Sequence, residues 1–384
     1  MKNICSVFTA LIVVLTFTSC NNDMHEVVLP NDNIIDANDS FIHLDTDVST
    51  RGKLVVDETL KDAFGVYGYV YRSTWDAARA QAKPNVFDEA PQKVTYQDNY
   101  YSYGQPKQWT GYNYAFYAYY PFGANEITAI DKDVEGEPYI LYNLPQSEKP
   151  QDMIDVMTAS YVDTNANSSK TVPLHFYHRL AAVDVGARCY YDYDPNPDNN
   201  TATDVVSAAI EIAQIELKFT NLKNTQAKIY LNREHSSVYS GTQIERTFRI
   251  LTLDEDSSND ILLESNADGD TSLREITSSK GDNATTMILI PQTANIPEDD
   301  YLSVIPTMAY YLKLPNGQYI QADKKSVADA PYTFIYSKAF KFDRPILEGR
   351  RYFIQFNFTS DAVSVNIVAA DEWDVFDTIY HDFE

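Results

Sequence analysis

The chain has 384 residues, with 30 Lys and Arg against 55 Asp and Glu, for a formal net charge of −25. That length is too great for one small module and suits two domains. A hydrophobic content of 44% excludes wholesale disorder, 13 Gly and 17 Pro exclude collagen-like and low-complexity chains, and a pI near 4.5 argues against a partner nucleic acid, whose binding needs a basic face to displace counterions.

The N-terminus reads as an address. Lys2 supplies a positive start, residues 4–17 form an uncharged, mostly apolar run of 14, and Phe17-Thr18-Ser19 leads into Cys20. Such a run is too short for a membrane span, which needs about 20 apolar residues, and suits a signal segment. Residues 1–19 are therefore expected to be a lipoprotein-type signal, with Cys20 acylated. The alternative is an ordinary signal peptide with a chance cysteine. No other stretch is long and apolar enough to span a bilayer, so attachment would be by lipid alone. Cys5 leaves with the signal and Cys20 carries lipid, so only Cys189 remains and no internal disulfide is expected. Cys189 reads as a small buried hydrophobe in preference to a nucleophile. Residues 21–40, rich in Asn and Asp, read as a tether.

From Phe41-Ile42-His43-Leu44 onward the text is that of strands, with a second candidate at residues 53–56. The surplus of 29 Tyr and 18 Phe fits this, because aromatic and β-branched side chains favour pleated sheets. Residues 73–82 predict a short capped helix. In residues 114–120, Tyr114, Phe116, Ala118 and Tyr120 share one face, with Ala115, Tyr117 and Tyr119 on the other. Ile210 and Ile212 have the opposite parity to Ile215, Leu217 and Phe219, which predicts a bulge near Ala213-Gln214. Leu314-Pro315-Asn316-Gly317-Gln318 predicts a hairpin turn, since Asn and Gly tolerate positive φ. Ile354, Phe356 and Phe358 share a face while Gln355 and Asn357 point away, and Val363, Val365, Ile367 and Ala369 alternate near the C-terminus. Many short strands separated by turns imply an all-β chain of β-sandwiches. Residues 192–203, polar and with two prolines, are the expected linker. They would divide an N-terminal sandwich at 51–191 from a C-terminal one at 204–384.

Candidate chemistry is sparse. His175 and His178 would point to opposite faces of a strand and read as structural. The Asp192 loop begins D-x-D-x-N like a calcium loop, but Pro197 and Thr203 stand where an EF-hand needs Gly and Glu, leaving a solvated linker with incidental Ca²⁺ as the alternative. Asp254-Glu255-Asp256 and Asp268-Gly269-Asp270 read as acidic loops. No G-x-S-x-G, H-E-x-x-H or glycine-rich phosphate loop occurs. No catalytic residue, metal site or cofactor is expected.

Several motifs together resemble the fimbrillin family of Bacteroidetes, the major and minor fimbrial subunits and their relatives. They are the segment ending at Cys20, Thr50-Arg51-Gly52, Trp109 followed by Tyr114-Ala115-Phe116-Tyr117-Ala118-Tyr119-Tyr120-Pro121, and residues 152–159 (DMIDVMTA). Leu174-His175-Phe176-Tyr177-His178-Arg179-Leu180-Ala181, Leu289-Ile290-Pro291-Gln292 and Trp373 complete the series. The resemblance spans the chain in order. It implies two transthyretin-like or Ig-like β-sandwich domains in tandem and export as a lipoprotein to the cell outer membrane. It also implies trypsin-like cleavage after an arginine, matched by Arg51 with Gly52 as the new N-terminus, and polymerisation by strand exchange.

Cleavage there would detach the lipid, the tether and a first strand (residues 20–50), uncovering a groove that a strand of another subunit could fill. Val363, Val365, Ile367 and Ala369 suit the donor strand. An ordinary closing strand is the alternative reading of the same residues. The expected role is a structural fimbrial subunit on the cell surface, supporting adhesion or biofilm. Its partners would be other fimbrial subunits, the outer membrane through the lipid before processing, and host or bacterial surface ligands. The alternatives are a tip or anchor subunit, or a monomeric glycan-binding lipoprotein using Trp75, Trp109 and the tyrosine cluster as a stacking platform.

Overall fold

The computed structural model describes residues 40–50, 53–54, 60–134, 136–163, 171–194, 205–251, 261–263, 274–275, 286–292, 302–342, 344–360 and 362–370. The chain divides into two units, residues 1–39 and Ser40–Glu384, and every described residue belongs to the second. Strands dominate the described chain and helix is scarce, so the all-β expectation holds.

β1 (His43–Thr50) and β2 (Lys53–Leu54) open the described chain, the first starting later and running further than residues 41–44 suggested. β3 (Phe64–Tyr71) leads to α1 (Trp75–Ala78), where Thr74 caps the helix by accepting from the Ala77 amide. β4 (Gln92–Gln97), β5 (Tyr100–Ser102), β6 (Asn113–Tyr120), β7 (Ile127–Ile130), β8 (Tyr139–Asn143), β9 (Met157–Asp163), β10 (Thr171–His178) and β11 (Ala181–Tyr190) follow.

Next, β12 (Asp192–Tyr193) pairs with β13 (Val206–Ser207). β14 (Ala209–Leu222) carries the expected bulge: the register with its neighbour slips between Ile212 and Gln214. The extra residue resets the parity, so Ile210, Ile212, Ile215, Leu217 and Phe219 all reach one core. Then come β15 (Gln226–Tyr230), β16 (Val238–Ser240), β17 (Ile244–Leu251), β18 (Ile261–Leu263), β19 (Arg274–Glu275), β20 (Met287–Leu289) and β21 (Ser303–Lys313). The turn after β21 forms at Leu314–Gly317, but only Gly317 takes a positive φ (87°). Asn316 instead accepts the Gln318 amide on its side chain at 3.0 Å. β22 (Tyr319–Ile320), β23 (Val327–Ala328), β24 (Phe334–Tyr336), β25 (Phe340–Lys341), β26 (Arg351–Thr359) and β27 (Val363–Ala370) complete the set.

At the centre of the sheet β2-β1-β10-β9-β6-β3-β4-β5, strands β3 and β6 are buried on both faces. Because side chains alternate, Tyr114, Phe116 and Ala118 enter one core while Ala115, Tyr117 and Tyr119 enter another. The first core is closed by β1, β10 and β5. The second is closed by the sheet β16-β15-β8-β7 and by Trp75 of α1. A third, more aliphatic core lies between the β11-β26-β27 sheet and the sheet built on β14 and β21.

Strand pairing crosses the expected boundary at residues 192–203. β11, before it, pairs in parallel with β26 from Ala182–Arg351 to Tyr190–Thr359. β15, after it, pairs with β8 from Gln226–Asn143 to Tyr230–Tyr139. Arg179 rivets this junction. It is 1% exposed, and it donates to Glu348 Oε1 at 2.5 Å, to Thr158 Oγ1 at 2.9 Å and to the Tyr230 carbonyl at 2.8 Å. An arginine so deep is tolerable only with its charge paired and its donors used.

Candidate functional site

The most constrained feature among the described residues is the seat of β1. The strand runs parallel to β10, from His43–Thr171 to Val48–Phe176, and turns antiparallel onto β2 at Ser49–Leu54 and Thr50–Lys53. Even-numbered residues point inward. Ile42 is 1% exposed, Leu44 6% and Thr46 7%, and Val48 packs at the edge of the same core. They join Phe64, Phe116, Val172, Leu174 and Phe176, where Phe64 and Phe176 meet edge to face at 5.2 Å. Burying Ile42 and Leu44 contributes about 1.5–3 kcal/mol each.

Polar contacts fix the strand at three places. At its entry, Ile42 N donates to the Lys107 carbonyl (2.8 Å), Trp109 N to the Ser40 carbonyl (2.9 Å), and the Tyr103 hydroxyl to the Ile42 carbonyl (2.6 Å). At its middle, a closed ring forms. The Leu60 amide donates to Thr46 Oγ1 (3.3 Å), the Thr46 hydroxyl lies on Tyr101 Oη, and the Tyr101 hydroxyl donates to the Leu60 carbonyl (3.0 Å). Burial pushes the Tyr101 phenol up, and the Thr46 contact pulls it partly back. On the outer face, Asp47 Oδ1 lies 2.5 Å from His175 Nδ1.

β10 depends on this strand. Its residues 171–176 pair with β1, whereas among the described residues β9 pairs with Tyr177 and His178. Taking β1 away would leave Val172, Leu174 and Phe176 on a segment tied to the sheet at one end, with unpaired backbone groups along it.

The C-terminal strand is seated differently. β27 pairs with β26 from Val363–Phe358 to Ala370–Arg351 and ends its sheet among the described residues. Val363, Val365, Ile367 and Ala369 face the third core as their alternation predicts, but all are only half-buried, and Ser364 and Asn366 are exposed. An open groove of about 770 Å³ borders this strand, lined by Arg188, Tyr190, Lys341, Arg344, Gln355 and Asn366 among others.

Of the other expected residues, the signal at 1–19, Cys20, the tether, Arg51, Gly52, both acidic loops, residues 195–203 and Trp373 lie outside the described residues. Cys189 is half-buried, its thiol donating to the Ala208 carbonyl at 3.5 Å. Burial pushes it up to about 11, which suits an inert packing residue. His175 and His178 do not converge: the first meets Asp47 and the second Asp155, at 2.8 Å. Among the described residues no cluster of His, Cys, Asp or Glu could hold a metal, and no helix is long and apolar enough to cross a membrane. The aromatic stacking platform is not assembled. Trp75 is 8% exposed and packs on Tyr69, Tyr71 and Tyr117 in the second core. Trp109 packs edge-on to Tyr114 at 4.6 Å beside the first core, across the central sheet. The aromatics fill sandwich cores because the doubly covered central sheet needs bulk on both faces.

Sequence reading missed Leu60, Thr46, Tyr101 and Tyr103. A hydroxyl pair separated by 55 positions carries no local signal. The one available hint was the tyrosine surplus itself.

The profile of the family described as fimbrillin-like matches residues 55–371. The fimbrium subunit Fim1C of Phocaeicola vulgatus is 25% identical over 207 residues, covering 50% of this chain and 51% of that one, so the match spans about half the length of that curated relative. The crystal structure of a fimbrial protein from Bacteroides vulgatus superimposes with a TM-score of 0.58 at 15% identity, covering 86% of this chain and 99% of that one, a likeness of fold.

Proposed function

The chain belongs to the fimbrillin-like family, and from that membership we propose that it is a structural subunit of a surface fimbria, assembled by exchanging its first strand for one from a neighbour. In this reading Cys20 carries the lipid that holds the exported precursor at the outer membrane. A trypsin-like protease cuts after Arg51, and residues 1–51 leave. The groove that β1 vacates is refilled by the last strand of another subunit, and β27 plays that part for the next. The fimbria then serves adhesion or biofilm formation.

The observation that carries this reading is the seat of β1. The segment upstream of Arg51 is a paired strand whose inward residues complete a core, so its removal creates a demand that only another strand meets. The half-buried β27, ending its sheet among the described residues, supports the donor role because a strand at a rim is cheap to withdraw. Two cations and seven carboxylates leave with residues 1–51, so the remainder carries a net −20, with 28 cations against 48 carboxylates. Subunits of like charge repel, so their contact must come from apolar burial and backbone pairing.

Treating the purified precursor with a trypsin-like protease should give Gly52 as the new N-terminus and ladders that resist detergent. A cleaved chain that stays monomeric at high concentration would overturn polymerisation by this chain alone.

A further inference from the structure

The groove under β1 reads two different things. Tyr103 grasps the Ile42 carbonyl, a backbone group that every strand offers. The ring of Leu60, Thr46 and Tyr101 grasps a side-chain hydroxyl, which few strands offer at that place. All three of its residues are buried, with Thr46 at 7%, Leu60 at 8% and Tyr101 at 9% exposure. A strand that brings an aliphatic side chain there leaves the Leu60 amide without an acceptor and the Tyr101 oxygen without a donor, away from water.

The inward face of β1 reads Ile42, Leu44, Thr46, Val48. The inward face of β27 reads Val363, Val365, Ile367, Ala369, with no hydroxyl. Laid into the groove in the direction of β1, β27 sets Ile367 on Tyr101; laid in reverse, it sets Val365 there. Sliding by one residue brings Ser364 inward but buries Asn366 with it. No placement with the apolar face inward restores the ring.

We propose that Tyr101 and the Leu60 backbone form a specificity pocket that selects an incoming strand with Ser or Thr at its third inward position, and that β27 of this chain is not its preferred occupant. The preferred partner is a different subunit whose donor strand reads apolar, apolar, hydroxyl, apolar on one face. This rests on the strand-exchange reading above and adds the identity of the strand exchanged.

The test uses the full chain cleaved after Arg51 and stripped of its first strand, titrated with labelled peptides. The peptides are residues 41–50, the same with Thr46→Val, residues 363–370, and the last with Val365→Thr or Ile367→Thr. Thr46→Val should weaken the first peptide about tenfold, and one of the two threonine variants should strengthen the second by a similar factor. The variant that gains also reports the direction of the inserted strand. On the Tyr101→Phe chain both differences should shrink to the part that the Leu60 amide alone carries, whereas Tyr103→Phe should weaken all five peptides alike. Equal binding of the paired peptides to the unaltered chain overturns the specificity pocket and leaves strand exchange standing, as does a preference left undiminished by Tyr101→Phe. If peptide 41–50 itself does not rebind, the strand-exchange reading fails and the pocket with it.

Discussion

β1 and β27 are both eight-residue strands near the limits of their sheets, and both alternate apolar with polar residues, yet they are held in opposite ways. β1 lies beneath a cover: the 107–109 segment bridges its entry, Tyr101 and Tyr103 bond its middle and its start, and the inward side chains of Ile42, Leu44 and Thr46 are almost fully buried. Among the described residues β27 has one neighbour, β26, and its inward side chains stay half in solvent. Alternation therefore marks that a strand has an inner face without saying how deep that face goes. Depth depends on what closes over the strand from elsewhere in the chain.

The sharpest way to separate the two regions is alkali. Tyr67, Tyr69, Tyr101, Tyr117, Tyr119 and Tyr142 all line the two cores nearer β1, and burial raises each phenol above the ordinary value of 10.0, Tyr119 to about 12. Above pH 10 the unfolded chain releases these protons while the folded chain keeps them. The stability they contribute is thus whole below pH 10 and falls as pH rises toward the raised values. Each such tyrosine costs about 1.4 kcal/mol per pH unit in that window. In the third core, Tyr193, Tyr310 and Tyr336 shift the same way, a smaller set in which Tyr310 and Tyr336 are only half-buried. Thermal melts followed by tyrosinate absorbance should show the first two cores lost before the third between pH 10 and 12, and a flat melting temperature there would contradict the contrast.

Smaller, but more local, is the effect of trimming each strand. Leu44→Ala should cost about 2–5 kcal/mol in urea denaturation, as buried truncations do, while Ile367→Ala should cost clearly less because solvent already reaches that site. Equal losses would mean that the two seats are energetically alike. The smallest change is expected at the outer face of β1. Asp47→Asn removes the partner of His175, a half-exposed pair, and should cost less than about 1 kcal/mol, with the loss shrinking in high salt.

Much of the chain was legible from sequence because the signal was local. The bulge at Ala213, the turn at Gly317, the short helix under Thr74 and the faces of residues 114–120 and 354–358 all follow from neighbours within a few positions. The stacking platform failed for the complementary reason. A platform of Trp75 and Trp109 is only the alternative reading of the aromatic surplus, since composition does not tell which faces of a sheet are covered, and here both are.

The amino-acid order determined on its own that this chain is built of strands, where those strands bend, and which residues of each share a face, since a pleated backbone alternates its side chains wherever it is extended. Tertiary structure alone decided which strand lies beside which. It sent β11 to β26 and β15 to β8 across the polar segment, closed Arg179 on Glu348, and brought Tyr101 to Thr46. These meetings span from about fifty to well over a hundred positions, and at that distance the choice of partner rests on the burial and hydrogen bonding of the assembled cores, which no short window of sequence contains.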